Sequence, residues 1–68
     1  MSYSYDRWER SVQRWALEAS QAMDAGHGDI VERIRRQYPG NSYQINEKAT
    51  WELRKALELV TDRHDLAD

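Results

Sequence analysis

The run Tyr5-Asp6-Arg7-Trp8-Glu9-Arg10-Ser11-Val12-Gln13-Arg14-Trp15-Ala16-Leu17-Glu18-Ala19-Ser20-Gln21-Ala22-Met23 decides the fold. Tyr5, Trp8, Val12, Trp15, Ala19, Ala22 and Met23 recur mainly three and four residues apart, which gathers them on one face of a helix. Arg7, Arg10 and Arg14 fall together on the opposite face. The spacing predicts a helix over residues 4–25. Ser4 is its expected cap, Asp6 sits in a first turn that favours negative charge, and Gly26 is its left-handed stop.

Working outward, Asp29 reads as the cap of a short second helix over 30–38. Ile30, Val31, Ile34 and Tyr38 form its inner face, and Asp29–Arg33 and Glu32–Arg36 are favourable four-residue pairs. Pro39-Gly40-Asn41 ends it. Residues 42–46 alternate weakly in polarity, but a strand so short with no second strand to pair with does not make a sheet. Asn46 is the expected cap of a third helix over 47–62, whose inner stripe is Ala49, Leu53, Ala56, Leu57 and Val60, with fraying over 63–68. The result is an all-α, three-helix domain spanning 1–68, long helix, short helix, long helix, and it is expected to form a homodimer.

Composition narrows the function. The chain has 68 residues, no cysteine, and a mean hydropathy of −1.00. Seven of its apolar residues are alanine, which contribute little core volume. So small a core leaves self-association or a partner as the natural source of extra stability, because no disulfide is available. The polar start and the lack of a long apolar run imply a cytoplasmic protein without a membrane role. Ten Lys/Arg against twelve Asp/Glu give a net charge of −2, which disfavours nucleic acid as a partner held by overall charge. Eight of the ten cations are arginine, the residue better suited to protein interfaces.

No constellation supports catalysis, a cofactor or a metal. His27 and His64 lack the two-histidine spacing of a helical ligand pair, and the serines lack a nucleophile-elbow context. Gly26-His27-Gly28 resembles an anion-binding turn, but it follows a helix and Asp29 would repel phosphate, so it reads as punctuation. A three-helix chain this small is not expected to enclose a substrate pocket.

The residues left over mark a binding surface. Trp51 lies about 160° from Leu53 around the third helix, with Leu59 between the two faces, and Leu66 joins Leu59 if the helix persists. Leu17 points away from the first stripe. The expected partner-binding set is Trp51, Leu59, Tyr43 in the loop before the third helix, Arg7, Arg10, Arg14, Arg35 and Arg36. Asp6–Arg10 is an expected local ion pair, and Trp8 and Trp15 belong to the core or a dimer seam. The favoured function is a non-enzymatic regulator or inhibitor that docks on a larger protein, a kind of compact protein often carried by phages and other mobile elements. A small dimeric DNA-binding regulator is the first alternative, though two carboxylates, Glu47 and Glu52, open its recognition helix. An assembly subunit pairing through its first helix is the second.

Overall fold

A computed structural model describes the backbone of residues 3–67 and the side chains of residues 5–60. It contains α1 (Tyr3–Asp24), α2 (Gly28–Gln37) and α3 (Tyr43–Ala67), and no strand among the described residues. The expected all-α architecture is present. The helix boundaries differ where capping chemistry was read from sequence alone.

Ser4 is not the α1 cap, since the helix already includes Tyr3. Gly26 does stop α1, at φ 88°. The Gly26 amide donates to the Met23 carbonyl (3.0 Å) and the His27 amide to the Ala22 carbonyl (2.8 Å), the paired bonds of a Schellman stop. Asp29 lies inside the first turn of α2 instead of capping it. His27 holds the cap position without a side-chain hydrogen bond, and its carbonyl accepts from the Ile30 amide (3.1 Å). Asp29 still favours the positive end of the helix from where it sits. Arg35 and Arg36 complement the negative end. Of the two expected pairs on α2, Glu32–Arg36 forms at 2.5 Å and Asp29–Arg33 does not.

The largest difference is at α3, which starts at Tyr43 and continues to Ala67 rather than fraying from 63. Ser42 is its cap: the Ile45 amide donates to Ser42 Oγ (3.2 Å), and the Asn46 amide donates to the Ser42 carbonyl (2.9 Å). The weakly alternating stretch is therefore the first turn of a helix. Asn46, expected at the cap, lies one turn inside and is 1% exposed.

α1 and α3 run parallel. Contacts Arg7–Tyr43, Ser11–Asn46 and Glu18–Arg54 have sequence separations of 36, 35 and 36, a nearly constant register. A parallel pair needs a return path, and α2 supplies most of it. Ten residues rise only about 15 Å, so residues 38–42 must cover the rest. That connection is tied down at both sides. Trp8 Nε1 donates to the Asn41 carbonyl (2.6 Å), and Arg35 Nη2 donates to the Gly40 carbonyl (2.5 Å). Gly40 adopts φ 128°, and a Cβ there would lie 2.8 Å from Ile45 Cδ1, so both backbone and packing require glycine.

The core comprises Ala19, Ala22, Ile30, Val31, Ile34, Ala49 and Leu53, with Trp15, Tyr38, Ala56, Leu57 and Val60 packed around it. The inner faces of α2 and α3 are those expected. On α1 the buried face is rotated: Tyr5 and Met23 are exposed, whereas Ser11 is buried. Ser11 satisfies its hydroxyl by donating to the Trp8 carbonyl (2.6 Å), and accepts from Asn46 Nδ2 (3.4 Å). Its small side chain lets α3 approach where a larger residue would hold it off. Asn46 Nδ2 also donates to Asn41 Oδ1 (3.0 Å), and Asn46 Oδ1 accepts from Arg35 Nη1 (3.5 Å). No buried side-chain polar atom among the described residues lacks a partner.

Replacing Asn46 with alanine removes that hub and takes the donor away from the Ser11 and Asn41 side-chain oxygens, so we expect a loss of about 2 kcal/mol in unfolding free energy. Gly40→Ala is expected to cost about 1–3 kcal/mol through its positive φ. Urea unfolding of both variants against the parent checks this, and an unchanged midpoint for either would show that the assigned constraint is absent.

Candidate docking surface

Four of the expected contact residues converge. Arg7, Arg10 and Arg14, with Ser11, form the α1 wall of an open cleft of about 330 Å³, and Tyr43 and Glu47 form its α3 wall. The helical spacing aligns the three arginines on α1, and the parallel register brings the start of α3 beside them. Tyr43 is not in a loop but is the first residue of α3, half-buried. Arg7 Nη2 donates to the Tyr43 hydroxyl (2.9 Å), and its guanidinium carbon sits 4.3 Å from the ring centroid, a cation–π contact.

Arg10 and Arg14 are exposed, and no carboxylate among the described residues pairs with either. The expected Asp6–Arg10 pair is not formed. Two like charges four residues apart on a helix repel by a few tenths of a kcal/mol, and no ion pair among the described residues offsets this. Glu47 is the one carboxylate lining the cleft.

The other arginines are placed differently. Arg35 turns inward: besides its bonds to Gly40 and Asn46, its guanidinium carbon lies 5.1 Å from the Trp15 ring centroid. It holds the 38–42 connection against α1 and α3. Arg36 pairs with Glu32 on the exposed side of α2, away from the α1 trio. Trp8 and Trp15 are half-buried: Trp15 packs on the core, and Trp8 bonds to the Asn41 carbonyl.

Trp51 and Leu59 are exposed, at 59% and 62%, as is Leu17 at 60%. Trp51 and Leu59 lie eight residues apart on α3, about 80° around its axis. Lys55 Nζ lies 6.0 Å from the Trp51 ring centroid. Leu66, His64, Asp62 and Asp65 lie outside the described side chains. His27 borders a second hollow of about 250 Å³ with Glu18, Gln21, Ala22, Ala25 and Leu57. Among the described residues, no group of three or more histidine, aspartate or glutamate side chains could hold a metal ion. No helix of the described residues is long and apolar enough to cross a membrane.

Sequence reasoning missed two members of this surface. Glu47 lines the cleft only because α3 starts early enough to bring its first turns beside α1. Arg54 crosses from α3 to α1 and clasps Glu18 with Nε (2.7 Å) and Nη2 (2.6 Å). The hydrogen bond to Glu18, aided by its charge, raises the Arg54 pKa above its ordinary value. The shared separation of 36 residues was the available signal, legible only once the helices were known to be parallel.

Comparison with protein-family models, curated proteins and solved structures gives no match to this chain.

Arg54 is half exposed, so solvent weakens the clasp, and a double-mutant cycle between Glu18→Gln and Arg54→Ala is expected to give a coupling of about 0.5–1 kcal/mol. The coupling should shrink with added salt. Trp51→Ala is expected to change stability by under about 0.5 kcal/mol, because the ring is mostly solvated. A cycle with no coupling, or a large loss for Trp51→Ala, would contradict these placements.

Proposed function

We propose that this protein acts by binding, docking on a larger protein through the cleft walled by Arg7, Arg10, Arg14 and Tyr43 and modulating that partner without chemistry of its own. One observation carries the reading. Arg10 and Arg14 stand side by side with no ion-pair partner among the described residues, on a chain whose net charge is −2. A fold gains nothing from this arrangement, whereas an external carboxylate would satisfy both guanidinium forks. The exposed Leu17 and Trp51 supply the apolar component that protein interfaces also need.

A duplex-DNA partner fits less well. The connection between α2 and α3, residues 38–42, is shorter than the sequence implied and closer to that of a helix-turn-helix. Yet Glu47 lines the arginine cleft, so a phosphate backbone would meet a carboxylate there. A homodimer would draw on the exposed apolar residues of α1 and α3.

Affinity capture from the lysate of the source cell tests the proposal, comparing the parent chain with Arg10→Ala/Arg14→Ala. Both are first shown to unfold at the same denaturant concentration. A protein retained by the parent and lost by the double variant is the expected result. Retention that disappears on nuclease treatment, or that is equal for both chains, overturns it.

A further inference from the structure

Resting on that docking reading, we infer that the open groove between α1 and α3 receives an acidic amphipathic helix of the partner protein. Its carboxylates lie against Arg10 and Arg14, and one of its apolar residues sits between Leu17 and Trp51.

Two helices lying side by side present two grooves. In this fold one is filled by α2, which buries Ile30, Val31 and Ile34. The arginine cleft belongs to the other. On α1, Arg14 lies about 140° around the axis from the core residue Ala19; on α3, Glu47 lies about 160° from the core residue Ala49. The second groove is thus open along the same pair of helices whose first groove already accepts a short helix. Packing of one helix between two others is the geometry the chain itself displays.

The groove changes character along its length. At its upper end stand the three arginines, Tyr43 and Glu47. One turn further, Leu17 follows Arg14 by three residues on one lip, and Trp51 follows Glu47 by four on the other. Both are about three-fifths exposed. The Glu18–Arg54 clasp joins the two walls just beyond. An occupant must therefore be acidic at one end and apolar a turn later, which describes one face of an amphipathic helix.

Spacing favours a helix over an extended segment. Arg7, Arg10 and Arg14 are separated along α1 by rises of about 4.5 and 6 Å, the rises between carboxylates three and four residues apart on a facing helix. Alternate residues of a strand advance about 6.8 Å and fall out of step with the row. Glu47 adds selectivity. It disfavours a continuous run of phosphates and offers a place for one lysine or arginine beside the partner's acidic row.

The test is an NMR titration of the isotope-labelled full chain with a capped helical peptide carrying glutamates at i, i+4 and i+7 and a leucine one turn further. Concerted shifts at the Arg10 and Arg14 side chains and the Trp51 indole are expected. Affinity should fall about tenfold in Arg10→Ala/Arg14→Ala, equivalent to about 1.4 kcal/mol, and several-fold in Leu17→Ala. A peptide with glutamine in place of glutamate binding equally well overturns the inference, as do shifts spread evenly over Arg33 and Arg36. Inorganic phosphate or a short DNA duplex saturating the same resonances at lower concentration overturns it in favour of a phosphate ligand. If the peptide leaves the groove unmoved while a captured protein still depends on Arg10 and Arg14, the helical occupant is wrong and the docking surface stands. If neither binds, both readings fall.

Discussion

The fold depends on the satisfaction of one buried amide. Asn46 is enclosed by α1, α3 and the connection between α2 and α3, and its side chain reaches Ser11, Asn41 and Arg35. Its backbone carbonyl also accepts from Thr50 Oγ1 (2.8 Å), which settles the buried threonine within α3. An amide in this position would be costly if any partner were missing. A different register of α3 against α1 would leave these groups unpaired, and the apolar core alone specifies that register weakly, being built largely from alanine and short aliphatic side chains. The polar hub supplies direction where the apolar contacts supply area.

That register has a consequence for the surface. Once Ser11 and Asn46 are matched, Tyr43 must stand beside Arg7 and Arg54 beside Glu18. The charged groups on the open side are therefore sorted: Glu18 and Arg54 satisfy each other, and among the described side chains of α3 only the Glu47 carboxylate lines the cleft with Arg10 and Arg14. The unpaired charge is a product of the helix alignment rather than of an overall excess of arginine. This is why a chain of net negative charge carries a concentrated basic cleft.

Much of the architecture was legible in the sequence, and the failures share a cause. Gly26 and the stripe Ile30, Val31, Ile34 were readable because their roles are local: a left-handed stop and a helical face. Ser42 and Asn46 are both good capping residues, and nothing local chooses between them. Only the buried environment around Ser11, four helical turns from the end of α1, turns Asn46 inward and leaves the cap to Ser42. Arg35 and Arg36 look interchangeable, yet one faces Trp15 and the other faces solvent. Of the docking surface, the row Arg7, Arg10, Arg14 and the exposure of Trp51 could be read from periodicity. The opposing wall could not, because no periodicity states which helices are neighbours or whether they run parallel.

The parallel alignment of α1 and α3 also governs how the chain reaches its native state. α1 meets α2 across a tight turn closed by Gly26, so that pair can assemble through contacts near in sequence. The hydrogen bonds from Arg7, Ser11 and Glu18 to α3 instead close loops of 35 or 36 residues, about half the chain. The entropy of closing such a loop is lost before the buried amide or the Glu18–Arg54 clasp can compensate. Helical proteins usually fold fast because their contacts are local. Here the addition of α3 is the non-local step, and the surface it completes comes into being only when folding ends.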